Sequence, residues 1–248
     1  MTAWISNAEN EGNATGVPGP LGRSVLRLCC LLLCVIALAL PIAHVAWNSS
    51  GSGQWTLSKD DGQVKLWTLK TPGSSLVQVK ATVRVKSKLA GLMRLMEDMS
   101  CADAGCYDEA IVERLVTPPG QYAAYIRFKF DVPGIHTQDY VLLQQRVQDA
   151  DTRKVTIDMI AAPSRVARDA CCVRITHLHT HWTLTPTPDG HVDIEYSQDT
   201  DSGGLPYPIA NLLLIEGTYQ VMRGMQDLME KPRYRIGSFR DIRELPAQ

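Results

Sequence analysis

Three histidines stand at alternate positions in the segment RITHLHTHW: His177, His179 and His181. On a regular strand, alternate side chains project from one face about 7 Å apart, so neighbouring imidazoles could share a metal ion. A structural zinc normally has four ligands, and no carboxylate or cysteine accompanies the trio at a suitable spacing. A polar strand face with exposed histidines is therefore favoured. We expect no metal or other cofactor, and the trio remains a weak candidate.

The residues around this trio do not keep one alternation. Val173 and Ile175 share the parity of the histidines, whereas Trp182 and Leu184 have the opposite parity. A bulge near Thr180, or a strand that is buried on both faces, would reconcile the two patterns.

The balance of charge and the absence of known motifs argue against nucleic-acid binding and several kinds of enzyme site. The 248 residues carry 25 Lys plus Arg and 26 Asp plus Glu, so there is no basic surplus for binding nucleic acid. With only three Phe, the chain also lacks the aromatic side chains of a base-stacking platform. The sequence contains no nucleophile elbow, P-loop or dinucleotide fingerprint.

One segment near the N-terminus has the length of a membrane span. Residues 28–47 form an uncharged run of 20 residues, and about 20 are needed to cross a bilayer. Arg23 and Arg27 precede the run, which predicts a cytoplasmic N-terminus and a domain on the extracytoplasmic, periplasmic side. The alternative is a signal peptide cleaved after the small-x-small sequence of residues 37–39, which would release the domain into the periplasm. Both interpretations export the domain.

Export makes disulfides possible in the rest of the chain. Cys101 and Cys106 bracket the short sequence ADAG, and we predict that they form a disulfide; the alternative is two free thiols. Cys171 and Cys172 are adjacent. Because side chains alternate along a strand, we expect these two to face opposite ways and not to pair.

The remaining organisation follows from composition. The predicted segments are a disordered tail (1–24), the anchor or signal (25–47), a flexible linker that begins NSSGSG (48–54), one globular domain (55–235) and a solvated C-terminal tail (236–248).

Two periodicities organise the domain. Alternation of apolar and polar residues predicts strands near 77–85, 122–130, 155–159 and 192–196, joined by short turns and therefore antiparallel. Helical spacing predicts helices over 88–99 and 209–229, and Pro206 and Pro208 are expected to block any upstream extension of the second. The fold class is α+β, with one curved antiparallel sheet covered by the long C-terminal helix.

The order of several short sequences resembles that of bacterial START domains (steroidogenic acute regulatory-related lipid transfer) of the SRPBCC helix-grip superfamily. The resemblance spans about residues 55–234, and its pieces are WTL at 55–57, DGQVKLW at 61–67, GSSL at 73–76, the alternating strands, Ala162-Pro163, WTLTP at 182–186, and GGLP at 203–206 before Asn211 and the long helix. One position departs from the family pattern. Many bacterial relatives have Arg-Asp before a central strand, whereas this chain has Gln138-Asp139. A buried Arg–Asp pair cannot be assumed there.

The resemblance implies a helix-grip fold with an internal cavity and the C-terminal helix as its lid. The implied function is non-enzymatic binding or transfer of a lipid or other apolar small molecule. The alternatives are a cyclase- or hydrolase-like enzyme of the same superfamily, or a ligand-dependent sensor or interaction module. The predicted lining residues are Ile126, Phe128, Leu214, Gly217, Val221 and Met225.

Overall fold

The computed structural model describes residues 20–97, 105–131 and 136–246, and these described residues fall into two compact units that divide between Trp47 and Asn48. The first unit is built on helix α1 (Pro20–Ser49). Its part from Leu28 to Ser49 has a mean hydropathy of 2.7, and none of its most apolar stretch is buried inside the protein. This helix is long and apolar enough to cross a membrane, as an anchor or as a signal sequence.

The described residues of the second unit form ten strands in one sheet. The strands are β1 (Trp55–Asp60), β2 (Val64–Lys70), β3 (Val77–Lys86), β4 (Cys106–Arg114), β5 (Gln121–Phe130), β6 (Gln138–Gln148), β7 (Val155–Ala161), β8 (Val173–Arg174), β9 (Leu178–Pro186) and β10 (His191–Thr200). Their order is β1-β2-β3-β10-β9-β7-β6-β5-β4, and the short β8 pairs with β6 in parallel. All other pairings are antiparallel, which confirms the predicted sheet.

The alternation that predicts the strands also divides the two faces of the sheet. In β3, residues 77, 79, 81, 83 and 85 are buried, whereas the residues between them are half-buried or exposed. The same alternation in β9 and β10 continues the apolar face across the sheet. This face forms the main core together with two helices, α2 (Leu89–Met96) and α3 (Tyr207–Glu230).

Helix α3 begins earlier than the sequence predicts. Pro206 stands at its N-cap, and Pro208 lies within its first turn instead of blocking it. The first-turn amides of a helix have no partner inside the helix, so a proline costs nothing there. At the other end, Pro232 opens a short 3-10 turn (Pro232–Tyr234) that stops the helix.

Segments on both sides of the predicted domain are bonded to it. In the predicted linker, the carbonyls of Asn48 and Ser50 accept hydrogen bonds from Lys70 Nζ at 3.4 and 3.1 Å. In the predicted tail, Phe239 and Ile242 pack against the main core. A carboxylate of the same tail accepts hydrogen bonds from the first amides of α2 (Glu244, with Leu89 and Ala90).

Candidate functional site: a cavity beneath the C-terminal helix

A cavity of about 430 Å³ lies between the concave face of the sheet and α3. The helix supplies one wall, and the other is formed by the end of β5, the start of β6, the middle of β9, and β10 with the loop that follows it. The lining residues are Phe130, Asp131, Gln138, Tyr140, Trp182, Tyr196, Gln198, Thr200, Asp201, Ser202, Leu205, Ala210, Leu213, Leu214, Gly217, Thr218, Val221 and Met222.

Half of the residues that were predicted to line the cavity lie outside its wall. Leu214, Gly217 and Val221 line the cavity, and a Cβ added at Gly217 would meet nothing within 4 Å. Met225 lies one turn beyond Val221 but is 1% exposed in the main core, because α3 there rests directly on the sheet.

The two strand residues that were expected to line the cavity pack in a smaller cluster. Ile126 is buried with Leu142 and Ile175 in this second cluster, further along the strands than the cavity. Phe128 stacks on Tyr140, with ring centroids 4.9 Å apart, and thus supports a lining residue from the side.

Two neutral hydrogen-bonded pairs are among the polar groups that line the cavity. The Tyr140 hydroxyl donates to Gln138 Oε1 at 2.7 Å, and the Tyr196 hydroxyl donates to Gln198. Burial, reinforced by Asp201, raises the pKa of Tyr140 to about 12, and burial also raises the pKa of Tyr196. Both tyrosines therefore stay neutral and can bond an uncharged polar group.

These pairs are absent from the sequence prediction. A signal exists, since Gln138 and Tyr140, like Tyr196 and Gln198, stand two residues apart and so share a strand face. Alternation shows that such residues face the same way but not that a cavity lies in front of them.

The two charged residues that line the cavity are both acidic, and both already accept hydrogen bonds. Asp131 accepts hydrogen bonds from Tyr107 and Thr137, and Asp201 accepts from the backbone amides of Thr176 and His177, among others. Among the described lining residues there is no Lys, Arg or His. The electrostatics of this wall therefore oppose an anionic ligand.

Helix α3 is held along one edge by the hairpin of β1 and β2. Lys59 forms an ion pair with Glu216 at 2.6 Å, and the Tyr219 hydroxyl donates to Asp61 Oδ2 at 2.7 Å. Hydrogen bonds from the Val64 amide and from Tyr219 lower the pKa of Asp61 to about 2. These contacts fix α3 to the hairpin beside the residues Gly217 and Val221, which line the cavity.

We expect Tyr219→Phe to loosen α3 without unfolding the domain, because the change removes only the hydroxyl, which donates to Asp61 and accepts from Arg223 of the same helix. Amide hydrogen exchange of residues 216–224 should become faster. The Asp61 carboxylate stabilises the fold fully above its unfolded pKa, and this contribution is lost as the pH falls toward 2. The matched control is Asp60→Asn, since Asp60 pairs with Lys65. Equal exchange in both variants would contradict the role of this contact.

This chain has Gln138-Asp139 where many bacterial relatives have Arg-Asp, and arginines from other strands pair with Asp139 instead. Gln138 faces the cavity, whereas Asp139 faces the opposite side of the sheet and is 1% exposed. There Asp139 accepts hydrogen bonds from Arg127 at 2.9 Å and from Arg174 at 2.7–3.0 Å. Although burial opposes the shift, these two guanidinium groups hold the pKa of Asp139 below its usual value. A buried Arg–Asp pair therefore exists, with its arginines supplied by β5 and β8.

The histidine trio lies away from the cavity. His179 and His181 project from the outer face of β9 toward Asp158, at 3.2 and 2.8 Å, while His177 precedes the strand and contacts Asp199. Burial opposes the shift, but the bonds from His181 and His179 lower the pKa of Asp158. Within residues 20–97, 105–131 and 136–246, no group of His, Cys, Asp or Glu is arranged to hold a metal ion.

The mixed parity around the trio has a simpler cause than a bulge at Thr180. The chain leaves β8 after Arg174 and enters β9 only at Leu178, so the two strands have independent alternations. Thr180 pairs regularly with Met159 and Gln198, and its side chain is buried on the inner face with Trp182.

The prediction for the adjacent cysteines is wrong. Cys171 and Cys172 form a disulfide with each other, with their Cα atoms 3.7 Å apart. They lie in a turn before β8, so the alternation of a strand does not apply to them. Cys106 begins β4, but Cys101 lies outside the described residues, and the Cys101–Cys106 disulfide stays a prediction.

Comparison with solved structures settles what this architecture is. A STAR-related lipid transfer protein of Xanthomonas axonopodis matches with a TM-score of 0.61 and 22% identity, over 73% of this chain and 100% of that one. The chain has a START-like fold. The human StarD13 lipid transfer and protein localization domain matches this START-like domain with a TM-score of 0.60 and 14% identity, over 79% of this chain and 97% of the human domain.

Sequence comparison adds one relative. The chain is 24% identical to an uncharacterized protein of Pseudomonas aeruginosa over 212 residues, which cover 84% of this chain and 99% of that protein. No family model matches. The predicted resemblance is thus confirmed at the level of the fold.

Proposed function

We propose that the START-like domain binds one uncharged, largely apolar molecule that carries a hydrogen-bonding group, and does not chemically change it. The observation that carries the proposal is the composition of the cavity wall. Apolar side chains surround two neutral pairs, Tyr140–Gln138 and Tyr196–Gln198, and no described lining residue carries a positive charge. Both solved proteins compared above are described as lipid transfer proteins or domains.

The size of the cavity narrows the ligand class. Small-molecule sites commonly occupy about 300–1,000 Å³, and 430 Å³ lies at the lower end of that range. This volume suits one chain or one compact ring system better than a two-chain phospholipid. Burial of apolar surface, at about 25 cal/mol per Å², supplies most of the binding free energy, and the neutral pairs fix orientation.

The runner-up is an enzyme of the same superfamily. Catalysis needs titratable groups that converge on a reacting atom with suitable pKa values. In the described wall, Tyr140 and Tyr196 have raised pKa values, and Asp131 and Asp201 already accept several hydrogen bonds. This arrangement favours binding.

The ligand class is tested with two matched probes, hexadecanol and hexadecanoate at pH 7, added to the full-length protein in vesicles. We expect the alcohol to bind at least about tenfold more tightly, because a carboxylate would be buried without a cation. Gln138→Lys places a cation in the wall and should reverse the preference. Equal or tighter binding of the carboxylate to the unaltered protein would refute the proposed ligand class.

We further propose that residues 28–47 anchor the domain on the periplasmic side of a membrane. The run of apolar residues and the preceding Arg23 and Arg27 support this topology. Alkaline phosphatase fused after Gln248 should be active, and a cytoplasmic reporter at the same position should be inactive. The fusion should also remain in the membrane fraction at full mass; the reverse reporter pattern, or a shortened soluble product, would contradict the proposed topology.

A further inference from the structure

The disulfide between Cys171 and Cys172 joins two neighbours in the chain, in the turn formed by residues 169–172. A disulfide stabilises a fold mainly by closing a loop in the unfolded chain, and its effect grows with the length of that loop. Two neighbouring residues enclose no others. This disulfide therefore adds little to the stability of the whole domain, and its main effect is to restrict the conformations of one turn.

The turn is fastened to the sheet on both sides. At its start, the Asp169 carboxylate forms ion pairs with Arg127 at 2.7 Å and with Lys129 at 3.2 Å, both in β5. Within the turn, the Cys172 amide donates to the Asp169 carbonyl at 3.4 Å. At its end, the chain enters β8 directly at Val173. A change in the conformation of the turn therefore acts on β8.

Strand β8 in turn holds the start of β6. The Val173 amide donates to the Thr137 carbonyl at 2.9 Å, and the Ile175 amide donates to the Asp139 carbonyl at 3.0 Å. These two carbonyls belong to the neighbours of Gln138, which lines the cavity. Because β8 has only two residues, few backbone bonds fix it, and the position of Gln138 depends on them.

The residues after β8 contact a second part of the cavity wall. Thr176 donates to Asp201 Oδ2 through its amide and through its hydroxyl, each at 2.8 Å, and Asp201 lines the cavity. The space between these contacts is filled, since a Cβ at Gly203 would collide with Gln138 Nε2 and Ile175 Cδ1. Because close-packed neighbours transmit displacements, a shift of β8 displaces this part of the wall.

A reductant can reach the disulfide, because Cys171 is exposed and Cys172 is half-buried. Exposed disulfides are the ones that exchange readily with thiols. One thiolate of a dithiol reductant attacks a sulfur of the pair, and the Cys171–Cys172 bond breaks. The second thiol of the reductant then resolves the mixed disulfide. Two electrons and two protons pass to the protein, so the products are two cysteine thiols and the disulfide of the reductant.

We propose that Cys171–Cys172 is a redox-modification site that controls ligand affinity, so that a dithiol reductant opens the disulfide, frees the turn and weakens binding in the cavity. This inference rests on the proposed function. In the oxidised protein, the restricted turn holds β8, and β8 holds Gln138 in the wall. In the reduced protein the turn has more conformations, and binding has to order them again at a cost in free energy. Reduction should therefore raise the Kd for hexadecanol at least about fivefold.

The test measures hexadecanol binding to the full-length protein in vesicles before reduction with dithiothreitol, after reduction, and after reoxidation. We expect the affinity to fall on reduction and to return on reoxidation. The double variant Cys171→Ser, Cys172→Ser should bind as weakly as the reduced protein, with or without dithiothreitol. It is also the matched control, because it keeps Cys101 and Cys106, whose predicted disulfide the same reagent would reduce.

Amide hydrogen exchange of Val173 and Ile175 gives a readout that needs no ligand, and both amides should exchange faster after reduction. An affinity that reduction does not change, or a double variant that still responds to dithiothreitol, would overturn the proposal and leave the proposed function intact. If the oxidised protein binds no hexadecanol although reduction speeds exchange, the proposed function is refuted, and the control of affinity is refuted with it.

Discussion

Replacing Asp139 with asparagine is expected to lower the free energy of unfolding by about 3–5 kcal/mol, because it leaves a buried guanidinium without its counter-charge. Arg174 is 1% exposed and donates to Asp139 through both Nε and Nη2. Its remaining bonds go to the carbonyls of Pro163, Val166 and Ala167, so the same arginine holds the preceding loop. Urea unfolding of the full-length protein in detergent measures the loss.

Asp169→Asn is the matched control for this change. Asp169 also pairs with Arg127, but it is 41% exposed, and exposed ion pairs contribute about 0–1 kcal/mol. Because the pKa of Asp139 is lowered by folding, its stabilisation is fully present above the unfolded pKa of about 3.9 and is lost as the pH falls through the lower folded value. Equal losses in the two variants, or a loss from Asp139→Asn that does not diminish in acid, would contradict this account.

The second large effect is expected from tryptophan substitutions at two positions one turn apart on α3. Val221 is 52% exposed and lines the cavity, whereas Met225, one turn later, is 1% exposed in the core. In Val221→Trp the larger ring has room to enter the cavity, so ligand affinity should fall at least about tenfold with little loss of stability. Met225→Trp overpacks a filled core and should cost about 1–3 kcal/mol. Paired measurements of hexadecanol binding and urea unfolding distinguish the two.

The test depends on the difference between Val221→Trp and Met225→Trp. If both variants lose stability alike and neither changes binding, the space under α3 is ordinary core and the proposed site is lost.

The sequence predicts the sheet and helices well because their signals are local. Alternation in residues 77–85 and helical spacing in residues 209–229 each reflect one buried face, and the structure confirms both elements. The remaining errors concern tertiary geometry. Val221 and Met225 belong to one helical stripe, and only the curvature of the sheet decides that one faces a cavity and the other the core.

The buried ion pairs and the disulfide also depend on tertiary geometry that local sequence patterns do not reveal. No local pattern indicates that Arg127 and Arg174, from two different strands, converge on Asp139. The turn that allows Cys171 and Cys172 to pair lies immediately before a strand of only two residues, too short to produce a periodic signal.

Native mass spectrometry of the full-length protein, purified in detergent, tests the central claim most directly. We predict that the unaltered protein carries one uncharged apolar molecule, identifiable after extraction, and that Val221→Trp is folded but carries none. An unaltered protein that is always empty, that carries an anionic two-chain phospholipid, or that shares its ligand with Val221→Trp would contradict the account.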